Sequence, residues 1–203
     1  MGRGDGYSDE FIKGAREMAR IGKIPVYGTF NPEMRDLVIE CIGIASRSLL
    51  PQKKEWCTLY IDSNGGWIDV LNSIRTAMLE SGLKFRGVVQ SRARSAGFVL
   101  LQYCDWRVAT VNTNLLVHYG GSGLGNEELT AIMEDHEYVV NYHKKRLEQM
   151  IKDIMERSGV SQMKLHEFSR FERDILAQEA LEMGFLDEVI SNVPKSVKPP
   201  ENI

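Results

Sequence analysis

Trp56-Cys57-Thr58-Leu59-Tyr60-Ile61-Asp62-Ser63-Asn64-Gly65-Gly66 decides the fold class. Its first six residues are aromatic, β-branched or apolar, the composition of a buried strand. Asp62 to Gly66 reads as a turn. Behind the turn, Trp67, Leu71, Ile74 and Met78 share one stripe of a helix, with Gly82 placed to cap its C-terminus. Further along, residues 85–90 read as a second strand and 96–103 as a short apolar helix after Ser95. Residues 106–110 and 115–118 read as two more strands. Strand, glycine turn, helix, strand is the alternation of an α/β fold with parallel pairing, in which sites gather at strand C-terminal ends.

On the N-terminal side, residues 8–24 hold a helix with Phe11, Ile12, Ala15, Met18 and Ala19 at helical spacing, and Ser8 or Asp9 available as its cap. Pro25 ends it, and residues 26–29 read as a short strand. Asn31-Pro32 opens a second helix, running to about Leu50, by the pairing of a cap residue with proline at the first helical position. On the C-terminal side, residues 126–158 form one helical stretch of roughly 50 Å. That is longer than a small domain needs, so part of it is expected to pack on another subunit. Its block His143-Lys144-Lys145-Arg146 reads as a solvated helix face, with a partner site as the alternative. Residues 192–203 read as an extended tail.

The chain has 203 residues, 43% of them hydrophobic and 26% charged, enough for one domain with its own core. A formal net charge of -3 leaves no basic footprint for nucleic acid and no polybasic membrane patch. No apolar run approaches a membrane span, and the first residues lack the apolar core of a secretory signal. Three cysteines without a CxxC spacing argue against a disulfide framework and against structural zinc, and fit a reducing, cytoplasmic compartment. Neither a metal nor a cofactor is expected.

Three places can carry chemistry. Gly65-Gly66, between strand and helix, allows positive φ and leaves backbone N–H groups bare to favour negative charge. A plain strand–helix turn is the alternative. In Ser91-Arg92-Ala93-Arg94-Ser95-Ala96-Gly97, a tight turn with small neighbours presents the Ser95 hydroxyl at a strand end beside the Ala96 N–H. This is the logic of a nucleophile elbow, and a helix N-cap is the alternative. His118 ends a strand ahead of Tyr119-Gly120-Gly121, where a histidine is ordinarily just a polar group reaching water. His136, His143 and His166 have no partner pattern and read as structural.

Order and spacing together say more than each signal alone. Across roughly residues 8–191 the sequence resembles the proteolytic subunit of the Clp protease, a family of serine peptidases. The family's Tyr-Ile-Asn-Ser-Pro-Gly-Gly corresponds to Tyr60-Ile61-Asp62-Ser63-Asn64-Gly65-Gly66, and its Gly-x-Ala-Ala-Ser-Met-Gly to Ser91 through Gly97. Its strand-ending histidine corresponds to His118. Its Glu-Arg-Asp, followed by Gly-Leu-Val-Asp, corresponds to Glu172-Arg173-Asp174 and Gly184-Phe185-Leu186-Asp187. The resemblance implies one domain over residues 1–203 with the fold shared with the crotonases: repeated strand–strand–helix units and a long handle helix, here within residues 119–158. It implies Ser95 as nucleophile, His118 as general base and Asp174 as the residue that orients the imidazole, with the Gly66 and Ala96 N–H groups as oxyanion hole. It also implies self-assembly into two stacked seven-membered rings around a chamber, polypeptide substrates, and an ATP-driven unfoldase of the AAA+ class as partner.

The chain departs from the family at Arg94, which replaces a small residue and must reach solvent or a carboxylate. It departs also at Ser91, in the segment after His118, in a longer interval from His118 to Asp174, and in the short segment before Tyr7. These departures suit a divergent, phage-type member. They keep two alternatives in view: a catalytically inactive ring subunit, and a crotonase-type acyl-CoA enzyme.

Overall fold

Capping fixes the first two helices. In the computed structural model, which describes residues 6–118 and 137–191, helix α1 (Asp9–Ala19) starts at Ser8, whose side chain accepts the Phe11 N–H at 3.2 Å. Asp9 and Glu10 place negative charge in its first turn, where the helix dipole favours it. Helix α2 (Pro32–Leu49) starts at Asn31, whose side chain accepts the Met34 N–H at 2.8 Å, with Pro32 in the first turn. Its stripe of Met34, Leu37, Val38, Cys41, Ile42, Ala45 and Leu49 is buried, and it packs on α1 and on strand β1 (Lys23–Phe30).

β1 is longer than the strand expected at residues 26–29, and it takes in Pro25. A proline is tolerated there because β1 is an edge strand, paired only with β2 (Trp56–Gly66). The turn expected at Asp62–Gly66 is instead a continuation of β2. Thr29 and Phe30 of β1 pair with Gly65 and Gly66, while on the other edge Ser63 pairs with Ala93. Both ladders shift register on the way, between Tyr27 and Thr29 on β1 and between Ile61 and Ser63 on β2. Bulges of this kind bend strands and re-aim side chains next to functional sites. Ser63, 1% exposed, bridges the bend: its hydroxyl donates to the Gly28 carbonyl at 2.5 Å and accepts the Gly65 N–H at 3.0 Å.

Helix α3 (Ile68–Glu80) leads into β3 (Lys84–Arg94), which likewise runs four residues beyond the expected strand. Helix α4 (Ala96–Gln102) follows directly, buried along its whole length between β2, β3 and the helices beyond. The first half of β3 pairs in parallel with β4 (Trp106–Thr110) and its last residues with β5 (Asn114–Leu116). At the handover, threonine side chains reach the β3 carbonyls, Thr110 to Gln90 at 3.1 Å and the buried Thr113 to Val89 at 3.3 Å. Helix α5 (Glu137–Ser158) and helix α6 (Gln162–Phe171) precede the two-residue strand β6 (Ile175–Leu176), antiparallel to β5. Helix α7 (Ala177–Glu182) then leads to β7 (Glu188–Ile190), parallel to β4. The chain is thus of the mixed α/β class, with one mostly parallel sheet and seven helices among the described residues, as expected.

Of the long stretch expected at residues 126–158, the part from Glu137 is helical, and residues 126–136 lie outside the described residues, as does the tail 192–203. Near its end α5 reaches the core through buried Ile154, flanked by half-buried Met150, Ile151 and Met155. Lys144 and Lys145 are exposed, while Arg146 reaches Asp69 of α3 at 2.6 Å. No helix among the described residues is long and apolar enough to cross a membrane. The cysteines Cys41, Cys57 and Cys104 are free and buried; burial pushes the Cys41 thiol up to about 11 and the Cys57 thiol up to about 12.

The end of the sheet is tied by a charged cluster. Arg107, 3% exposed, holds Asp187 with Nε at 2.9 Å and Nη2 at 2.8 Å, and turns Nη1 to the Gln102 amide oxygen at 2.8 Å. The Gln102 amide in turn donates to the Phe185 carbonyl at 3.2 Å. Burial alone would raise the Asp187 carboxyl, but hydrogen bonds from the Arg107 side chain and backbone and the charges of Arg107 and Arg157 outweigh it, so it lies below the ordinary carboxylate value. A carboxyl depressed on folding stabilises above its unfolded value of about 4 and loses that contribution as pH falls through the folded one. Asp187→Asn strands a buried guanidinium. In urea denaturation at pH 7 it is expected to cost about 3 kcal/mol, with the difference from wild type shrinking below about pH 4.

Candidate active site

β3 and α4 meet at Ser95, and the joint is strained. Ser95 has φ 53° and ψ -121°, outside the extended region where N-cap residues sit, and its side chain makes no capping bond to α4. The cap reading therefore does not hold for this serine. Positive φ costs a residue with a Cβ roughly 1–2 kcal/mol, and such strain persists only where the surroundings enforce it. Here they do. The Ser95 N–H donates to the Leu116 carbonyl of β5 at 2.9 Å, and the Ser95 carbonyl accepts the first α4 bond, from the Val99 N–H, at 3.1 Å. The Ala96 N–H precedes that ladder.

Gly65 lies against the elbow. It has φ +96°, and a methyl group there would sit 2.6 Å from Ser95 Cβ, 2.8 Å from the Arg94 carbonyl oxygen and 3.0 Å from Ala96 N. Gly66, at φ +144°, is closed in by Phe30, whose carbonyl oxygen would be 2.6 Å from an added methyl. The glycine pair is thus more than a plain turn: it lets β2 run close beneath the serine.

β5 and β6 bring the other expected residues to the same end of the sheet. β5 is beside the end of β3, with Arg94 opposite Leu116. His118, 19% exposed, follows two residues on. β6 returns antiparallel with Leu115 opposite Ile175, which brings residues 172–174 up to residues 116–118. The side-chain pairing differs from the expected one. His118 Nδ1 lies 3.1 Å from Glu172 Oε1, and Asp174 Oδ1 lies 3.3 Å from Arg94 Nη2. The carboxylate that Arg94 was expected to need is therefore Asp174. Among the described residues, His118 makes no hydrogen bond to Ser95 or Asp174. Arg173 points elsewhere, to Glu179 at 3.0 Å.

Two site residues carry no signal of their own in the sequence. Ser63 looks like one more turn residue, although its buried hydroxyl holds the bend beneath the glycines. Glu172 stands two residues before Asp174, in the turn that closes α6, and the family's order pointed to Asp174 instead. Among the described residues, no group of three or more His, Cys, Asp or Glu is placed to hold a metal ion.

A parallel sheet whose strand ends carry a serine on a strained turn, a histidine and carboxylates is an architecture for hydrolytic chemistry. The chain belongs to the Clp protease family, whose sequence profile matches residues 10–193. It is therefore a peptidase of the Clp type. No curated protein matches the chain.

Proposed function

We propose that this chain is a serine endopeptidase in which Ser95 is the nucleophile and His118 the general base. The conformation of Ser95 carries this reading, because positive φ at a non-glycine residue that caps nothing is explained by presentation of its hydroxyl. A serine hydroxyl is a weak nucleophile until a base takes its proton. In the proposed cycle His118 accepts that proton as Ser95 Oγ bonds to the peptide carbonyl carbon, and the oxyanion forms against the N–H groups of Gly66 and Ala96. The C–N bond then breaks, and the imidazolium returns the proton to the leaving amine. Water, deprotonated by His118, attacks the acyl ester, releases the new carboxyl terminus and restores the serine. A carboxylate holds the imidazole in the right tautomer, and the family's order nominates Asp174. Catalytic hydrogen bonds are commonly long in free enzymes and tighten around substrate.

The same reading has the chain work as a ring, two stacked heptamers enclosing a chamber that an AAA+ unfoldase feeds at the cost of ATP, in the cytoplasm. The partly unburied α5, with exposed Met163 and Phe171 on α6 and Leu176 on β6, supplies apolar surface for contacts between subunits. Residues 119–136, the rest of the expected handle, lie outside the described residues. The pairing of Asp174 with Arg94 favours a second reading, an inactive ring subunit. A fluorophosphonate probe separates the two. A single adduct on the peptide carrying Ser95 is the expected result, whereas an intact, assembled and unlabelled protein would leave the inactive subunit standing.

A further inference from the structure

We propose that Glu172, rather than Asp174, is the positioning residue that orients His118 in this chain, and that Arg94 makes the difference by holding Asp174. The inference rests on the reading of Ser95 and His118 given above and replaces its third member.

Three observations carry it. The first is contact: the Glu172 carboxylate is the group at His118 Nδ1, at 3.1 Å. An acceptor at Nδ1 selects the tautomer that leaves the Nε2 lone pair available for a serine proton. The second is register. With Leu115 opposite Ile175, Asp174 adjoins the end of the pair, and Glu172 lies further out, toward the end of β5 that leads to His118. Arg94 is level with Leu116 on the other edge of β5, so the same register delivers Asp174 to Arg94. The third is backbone conformation. Among the described residues only Lys53, Ser95 and Glu172 combine positive φ with a side chain, and the last two meet at this site. Glu172 closes α6 at φ 47° and ψ 38°, a position glycine or asparagine would fill more cheaply. A glutamate kept there turns its carboxylate toward the histidine.

Among the described residues, the ion pairs formed by the residues of this segment are Glu172 with His118, Asp174 with Arg94 and Arg173 with Glu179. Glu172 is 66% exposed in the single chain. Its removal is therefore expected to cost less than the ~10⁴-fold loss seen when a buried triad carboxylate is replaced.

The test is peptide cleavage by the assembled protein, with kcat and KM measured separately, together with ¹⁵N NMR of the histidine ring nitrogens. Glu172→Ala is expected to lower kcat about 10–100-fold with KM unchanged, and to shift His118 away from the Nδ1-protonated tautomer. Asp174→Ala is expected to lower kcat less than Glu172→Ala does and to leave the Nδ1-protonated tautomer in place. Glu172→Asp, which keeps the charge, should restore part of the rate. So should Arg94→Ala in the Glu172→Ala background, by freeing Asp174 from its guanidinium partner. Loss of rate and tautomer in Asp174→Ala with Glu172→Ala like wild type would overturn the inference and return the role to Asp174. The NMR arm decides even where a variant cleaves poorly for other reasons. If Ser95→Ala, run in parallel, still cleaves, the reading of the site falls and this inference with it. If Ser95→Ala is inactive and Glu172→Ala is not, only the inference falls.

Discussion

Ser95→Ala is expected to lower kcat on a short unstructured peptide by on the order of 10⁶ while leaving the protein folded. A short peptide is the right substrate because it needs no unfolding before it reaches the site. The size of the effect follows from the mechanism. Without Oγ there is no acyl intermediate, and His118 and the amide donors can only assist water. The fold should tolerate the change, because the alanine loses one half-exposed hydroxyl that caps nothing. The strained φ of 53° remains, and alanine is no worse there than serine. Cleavage within tenfold of wild type would remove Ser95 from the mechanism, and a variant that still labels with the fluorophosphonate would show another nucleophile.

Gly65→Ala is the second large expected effect, and it acts through backbone. At φ +96° any Cβ is strained, and this one would meet Ser95 Cβ, the Arg94 carbonyl and Ala96 N at 2.6, 2.8 and 3.0 Å. None of these atoms is the end of a flexible side chain, so β2 and the elbow must separate. A displacement of about 1 Å costs roughly 10² in rate, and a misplaced oxyanion donor about 10²–10³. A fall of about 10³ in kcat is expected. The strain of about 1–2 kcal/mol should appear as a drop of roughly 2–8 °C in Tm. A variant with kcat within fivefold of wild type would show that Gly65 does not set the elbow.

Much of the fold was legible because local chemistry and tertiary structure agree. Asn31-Pro32 announces α2, and Leu71, Ile74 and Met78 of the expected α3 stripe are buried, whereas Trp67 precedes the helix and is exposed. What escaped was long-range. The ends of β2 and β3 carry Asp62, Asn64, Gly65, Arg92 and Arg94, a composition that says turn; they are strand because neighbouring strands distant in sequence hold them, through a serine bridge and bulges that no local pattern reveals. β6 and β7, of two and three residues, are too short for any periodicity to show. At the site, the sequence located the serine elbow, the glycines, the histidine and the Glu-Arg-Asp segment. It could not say which acid faces the imidazole, because that depends on the pairing of β5 with β6. Arg94 was the clue: a cation beside the serine had to reach solvent or a carboxylate, and it reaches Asp174.

The handover along β3 has a thermodynamic consequence. Ser95 is anchored to a strand that runs deep into the sheet, whereas His118 and its carboxylate hang from a ribbon of three residues against two. Short as it is, that ribbon is not loose: Leu115, Leu116, Val117 and Ile175 are all buried, and β5 is paired with β3 as well as with β6. Because the Ser95 N–H also hangs on the Leu116 carbonyl, loosening the ribbon would uncover core and relax the serine's backbone in one event, so elbow and histidine segment stand or fall as a single cooperative unit.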